Sequence, residues 1–92
     1  MMQEAEILSH LENIVTQMGI ELRYEKGDFK GGICRVGDKR LFLINQNLMP
    51  SQKINLLTQE LSTLDLSGVY VLPAIREMID RAGQNRETLE AE

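Results

Sequence analysis

The residues best suited to chemistry lie on a helix predicted from Ser51 to Asp65, where the sequence reads Gln59-Glu60-Leu61-Ser62-Thr63. A glutamate between two histidines at this spacing binds zinc through both imidazoles and activates a water molecule. Here Glu60 is present, but an amide and a hydroxyl occupy the two ligand positions, and neither is a usual zinc ligand. We therefore expect no metal site, no cofactor, no catalytic residue and no zinc peptidase activity.

Cys34 is the single cysteine of the chain and the remaining candidate nucleophile. A reactive thiolate needs a nearby base or a positive field. Arg35 adjoins it in sequence, but consecutive residues of a strand point to opposite faces. Cys34 shares its predicted face with Val36, which favours a small buried side chain over a reactive one.

Arg76 lies in the first turn of another predicted helix, where the helix dipole disfavours a cation. A pair with Asp80, one turn later, is the simplest compensation. There are two alternatives. Arg76 forms an ion pair with Glu60 or with a partner subunit, or it shares an anion site with Arg35. Cys34, Arg35, Glu60 and Arg76 are therefore the candidate binding residues.

Length and composition indicate one small globular domain. A chain of 92 residues with 42% hydrophobic content buries about 60–65% of its unfolded surface, and such a thin core often gains stability from self-association. No apolar run approaches the roughly 20 residues that a membrane span needs, and the acidic N-terminus does not read as a signal peptide. A single cysteine cannot form an internal disulfide, so we expect a cytoplasmic protein.

The charge distribution does not favour nucleic-acid binding. The net charge is −4, and the most basic stretch, residues 21–40, carries six basic residues against four acidic ones. A surface that follows phosphates needs a larger positive excess and usually aromatic side chains for stacking. We interpret these residues as the solvent side of a hairpin, with a nucleic-acid accessory role as a minor alternative.

Apolar periodicity predicts three helices and three or four strands. The helices are expected at about residues 3–18, 51–65 and 73–83, and the strands at residues 20–25, 33–36, 39–45 and, as a strand or connector, 69–72. The unbroken apolar run at residues 41–44 predicts a central strand that is covered on both faces.

These elements predict an α+β fold, with a small antiparallel sheet of three to four strands packed on one face by helices in the order α-β-β-β-α-β-α. Residues 1–83 form the expected single domain. Residues 84–92 form a polar C-terminal tail that we expect to be poorly packed.

The central block resembles the core of the ImmA/IrrE-type zinc metallopeptidases, which cleave or regulate repressors. The matching stretches are Gly31-Gly32-Ile33-Cys34-Arg35-Val36, Lys39 to Asn45, and Leu57-Thr58-Gln59-Glu60-Leu61. The resemblance implies a strand that ends in an asparagine and a following helix with the zinc motif. Here the motif histidines are missing, so it implies a degenerate core. In this core we expect Glu60 to contact Lys53 or a neighbouring strand.

The whole chain is also similar to small bacterial proteins to which no activity is assigned. The shared pattern is Gly31-Gly32-x-Cys34-Arg35-Val36 followed by Pro73-Ala74-x-Arg76-Glu77. This similarity implies no particular chemistry.

Two functional hypotheses remain open. The first is a non-catalytic cytoplasmic interaction or regulatory module on a degenerate metallopeptidase-like core, with a protein partner or a second copy as its ligand and no membrane contact. The second is a small enzyme or ligand-binding protein that uses Cys34, Arg35, Glu60 and Arg76 as a polar cluster. The first predicts an exposed apolar patch, and the second predicts that these side chains converge on one pocket.

Overall fold

A computed structural model of the chain describes the backbone of residues 2–91 and the side chains of residues 2–84. The elements follow in the order α1 (Glu4–Gln17), β1 (Glu21–Glu25), β2 (Gly31–Val36), β3 (Lys39–Asn45), α2 (Pro50–Leu61) and α3 (Pro73–Ala91). The α+β class is confirmed. Residues 69–72 form no strand, so the order within the described chain is α-β-β-β-α-α.

The sheet is mixed, with the order β1-β3-β2. β3 is central, as predicted, but it runs parallel to β1 and antiparallel to β2. The prediction of a wholly antiparallel sheet is therefore wrong. The turn at Gly37-Asp38, with Gly37 at a φ of +62°, reverses β3 onto β2. The chain reverses direction twice between β1 and β3, so these two strands run in the same direction. Because β3 lies between β1 and β2, its pairing with β1 is parallel.

One face of the sheet builds the core together with the three helices. Phe42 and Ile44 of β3 are fully buried there, and α2 packs against both α1 and α3. Each helix buries an apolar stripe against this core, in agreement with the apolar periodicity from which the helices are predicted. The buried apolar side chains are Leu11, Ile14, Val15, Ile20, Phe42, Ile44, Ile54, Leu57, Leu61, Leu66, Ile75 and Ile79.

The opposite face of the sheet, which we call the open face, is not covered by the described parts of the helices. Leu41 and Leu43 are only half-buried on it, Cys34 is exposed, and Val36 is 60% exposed. The predictions that the 41–44 run is covered on both faces and that Cys34 is buried are therefore wrong. All three helical stripes meet on one side of the sheet, and no side chain described for the helices packs on the other side.

The bounds of α2 and α3 differ from the sequence prediction. α2 begins at Pro50, where the backbone N–H of Met49 donates to the side chain of Gln52 at 2.8 Å, and it ends at Leu61, so the predicted end at Asp65 is wrong. α3 continues past Gly83 to Ala91. The expected tail falls almost entirely on residues whose side chains lie outside the described part. Within that part, no helix has the length and apolar character to cross a membrane.

Candidate functional site

β2 is an edge strand, and its backbone groups alternate between β3 and the free edge. The N–H of Asn45 donates to the C=O of Lys30 at 3.0 Å, and the register pairs Gly31 with Ile44. In an antiparallel pair only alternate residues exchange hydrogen bonds. The even-numbered residues of β2 therefore form backbone hydrogen bonds with β3. The N–H and C=O groups of Ile33 and Arg35 point in the opposite direction, toward the free edge of the sheet.

Glu60 of α2 contacts this free edge. Its Oε1 accepts the outward N–H of Ile33 at 3.0 Å, so the contact with a neighbouring strand expected for Glu60 is confirmed. The carboxylate occupies the place where the carbonyl of a fourth strand would bind. Gly32 lies so close that a Cβ there would stand 3.0 Å from the same oxygen. The absence of a side chain at Gly32 thus allows the carboxylate of Glu60 to reach the strand.

Cys34 and Arg35 follow Glu60's contact along the same strand. Both side chains are exposed, Cys34 on the open face and Arg35 on the face that the helices share. Arg35 lies opposite Arg40, whose guanidinium donates to the C=O of Met18 at 2.9 Å. The structure therefore brings three of the four candidate residues to one strand edge, but it directs the cysteine to a different face from the two charged groups.

Arg76 lies elsewhere. It lines a cavity of about 350 Å³ with the end of α2 and a second, shallower one along α3, and neither of these is lined by Cys34, Arg35 or Glu60. Within the described residues, ion pairs join Arg23 to Glu21 at 2.8 Å and Arg81 to Glu77 at 2.9 Å. Neither ion pair includes Arg76, so the expected pair of Arg76 with Asp80 is not formed among the described residues.

A groove of about 300 Å³ runs beside the start of β2 and along α2. Gln59, at the position of the first zinc ligand in the resemblance, lines it, with Lys30 on the opposite side. Its lining residues are Lys30, Leu48, Gln52, Asn55, Leu56 and Gln59. Among the residues whose side chains are described, no three histidine, cysteine or acidic side chains gather into a group that could hold a metal ion.

Sequence reasoning missed a polar contact between three elements. The hydroxyl of Tyr24 donates to the carboxylate of Glu12, and the ammonium of Lys53 lies 5.2 Å from the centre of the Tyr24 ring. Burial, followed by the hydrogen bond to Glu12 and its negative charge, raises the pKa of Tyr24 well above its ordinary value. A phenol held in its protonated form links α1, β1 and α2. Alternation along β1 is enough to place Tyr24 on the helix-facing side of the sheet, but no local pattern identifies its partners.

Replacing Tyr24 with phenylalanine is expected to lower the free energy of unfolding by about 1–2 kcal/mol at neutral pH, because a charge-assisted hydrogen bond is lost. The raised pKa means that the hydroxyl stabilises the fold fully below about pH 10 and loses this effect as the pH rises further. The difference between wild type and Tyr24→Phe should therefore shrink above about pH 10. Urea unfolding of both proteins at neutral pH and above about pH 10 measures this difference in the free energy of unfolding.

Tyr70→Phe is the matched control, since the side chain of Tyr70 is 75% exposed. It should change the unfolding midpoint little. A gap between wild type and Tyr24→Phe that stays constant up to high pH would contradict the contact with Glu12.

No family model, curated protein or solved structure matches the chain. The resemblance to the ImmA/IrrE-type core stays a prediction.

Proposed function

We propose that the protein is a non-catalytic cytoplasmic interaction module, and that it binds an amphipathic helix of a partner protein on its open face. The observation that carries the proposal is the half-buried pair Leu41 and Leu43 in the centre of that face, with exposed Cys34 and Val36 beside it. Sheets of α+β domains bury their apolar faces under helices. A contiguous apolar strip without such a cover is typical of a binding surface.

The rim of the open face supports the choice of a protein partner. β1 contributes Glu21, Arg23 and Glu25, and the hairpin contributes Lys39, so charges of both signs flank the apolar centre. Such an arrangement, an apolar centre with a polar rim, is typical of protein interfaces. A surface that binds nucleic acid would carry charges of one sign.

A second candidate function, a small enzyme or ligand-binding protein, draws on the contact of Glu60 with the edge strand that also carries Arg35, and on the groove lined by Lys30 and Gln59. A small ligand of that site should raise the unfolding temperature of the wild type but not of Arg35→Ala. Arg35→Ala should leave the affinity for a protein partner on the open face unchanged.

Leu43→Lys tests the proposal, because it places a charge in the centre of the open face while its long stem can remain on the sheet surface. Partners that co-purify with the tagged protein from its native cell would be quantified for wild type and variant. We expect a specific partner to be lost at least about tenfold with Leu43→Lys, since an unpaired charge must then be buried in the interface.

Tyr70→Lys is the matched control, because it makes the same apolar-to-charged change on an exposed side chain outside the sheet. It should retain the partner. A partner set that Leu43→Lys and wild type bind equally, or one that both lysine variants lose equally, would refute the open face as the binding surface.

A further inference from the structure

The two edges of the sheet differ in how they are protected from pairing. β1 alternates Glu21, Arg23 and Glu25 along its edge, and charged residues on an edge strand discourage a further strand from pairing. β2 reads Gly-Gly-Ile-Cys-Arg-Val and carries one charge. Its outward backbone groups at Ile33 and Arg35 are those that a further strand would use, and one of them already binds a carboxylate oxygen at 3.0 Å.

We propose that β2 pairs with β2 of a second copy of this chain, antiparallel about a two-fold axis at Cys34, to form a continuous six-stranded sheet. The axis places Ile33 opposite the partner's Arg35, and these two residues exchange backbone hydrogen bonds. Cys34 lies opposite the partner's Cys34 in a pair without hydrogen bonds. The pairing is isologous and therefore closes as a dimer.

Charge complementarity selects this partner. Arg35 and Ile33 share the helix-facing side of the strand, and Glu60 reaches that edge at Ile33. The proposed register thus brings the partner's Arg35 beside Glu60, and the two-fold axis repeats this ion pair. When the partner strand takes over the N–H of Ile33, the carboxylate exchanges a backbone donor for a guanidinium. The second copy thereby joins Arg35 and Glu60 into one pair.

The open face is also complementary in this register. Val36, which is 60% exposed, lies opposite the partner's Gly32, where no side chain competes for the space. An axis at Ile33 would instead place Val36 opposite Lys30. The inference concerns the edge of the sheet and is separate from the proposal for the open face, which the dimer would extend into one surface of double width.

Thiol cross-linking of the purified protein tests the register. Opposed residues of a pair without hydrogen bonds have Cα atoms about 4.5 Å apart, which is within disulfide reach. We expect a mild oxidant or a short bis-maleimide to convert wild type into a covalent dimer, as measured by denaturing electrophoresis. Cys34→Ser combined with Val36→Cys should cross-link far less, because the two thiols would lie about 13 Å apart along the strands.

A second thiol control is Cys34→Ser combined with Ser51→Cys, which moves the thiol to an exposed helix position. Cross-linking of this variant reports random collision only. Equal yields for the three proteins would refute the register.

Arg35→Pro tests the strand pairing without relying on cysteine. Proline removes the outward N–H of residue 35, which bonds to no other strand of the sheet, so the β2–β3 ladder is kept. We expect the dimer dissociation constant, measured by sedimentation, to rise at least about 100-fold, because two backbone hydrogen bonds across the axis are lost together with both proposed ion pairs of Arg35. The monomer should keep its circular dichroism spectrum and unfolding cooperativity.

A charge exchange tests the pairing of Arg35 with Glu60. Arg35→Glu should weaken the dimer at least about tenfold, and combining it with Glu60→Arg should restore much of the affinity. A wild-type protein that stays monomeric at several hundred micromolar, or a dimer that tolerates Arg35→Pro, would overturn the proposal. Binding of an unrelated extended peptide in place of the second copy would overturn the choice of partner.

Discussion

Gly31→Ala is expected to destabilise the protein by about 3 kcal/mol or more, a large share of the 5–15 kcal/mol typical of a domain. A Cβ at this position would stand 2.1 Å from the carbonyl oxygen of Leu43, a distance that no side chain adopts without a shift of the backbone. Gly31 also has a φ of +132°, which is unfavourable for an L-residue. The clash lies within the β2–β3 ladder, so relief would require the strands to separate.

Two other glycines separate the contributions to this effect. Gly37 also has a positive φ, +62°, but open space surrounds its ideal Cβ, so Gly37→Ala should cost only about 1–2 kcal/mol of conformational strain. Gly68 has neither a positive φ nor a close neighbour, so Gly68→Ala should change the free energy of unfolding little. Urea unfolding midpoints and m-values of the three variants measure the order. If Gly31→Ala costs no more than Gly37→Ala, the close approach of the two strands is wrong.

Phe42→Ala is expected to lower the free energy of unfolding by about 3–5 kcal/mol, because it leaves a cavity in the centre of the core. Phe42 is fully buried on the helix-facing side of β3. The neighbouring Leu43→Ala removes a side chain from the open face, where it is half-buried, and should cost only about 1 kcal/mol. The same strand thus has one face that is buried in the core and one that the described parts of the helices leave uncovered.

Phe42→Leu keeps the comparison measurable if the alanine variant does not fold. Its expected cost is about 1–1.5 kcal/mol, since most of the apolar volume is kept. Thermal and urea unfolding of the three variants would be compared under one set of conditions. Similar losses for Phe42→Ala and Leu43→Ala would mean that both faces of β3 are covered, as the sequence predicts and the structure does not show.

The candidate site was predictable in part. The spacing of α2 placed Glu60 off the apolar stripe, and the expectation that it contacts a neighbouring strand is confirmed by its bond to Ile33. The sequence could not identify the N–H that it binds, because this depends on which edge of β2 faces β3. The sequence could also not show that Arg76 lies away from the edge of β2, because its position is set by the packing of α3 on α2.

Local physics was sufficient for the elements themselves. Apolar spacing located three helices and their buried stripes, alternation and turn residues located β1, β2 and β3, and together they gave the α+β class. The missing imidazoles beside Glu60 were also plain from the residues alone. Each of these conclusions depends on side chains within a few residues of one another.

Tertiary structure alone decided the strand order, the parallel pairing of β1 with β3, and the side of the sheet on which the helices lie. An unbroken apolar strand fits either burial on both faces or a strip left open for a partner, because its composition is the same in both cases. Cys34 is an example. Its neighbours in the sequence favour a buried position, but no described part of a helix covers it, and its side chain is exposed. Contacts between elements distant in the chain are set by global packing, and no local pattern records them.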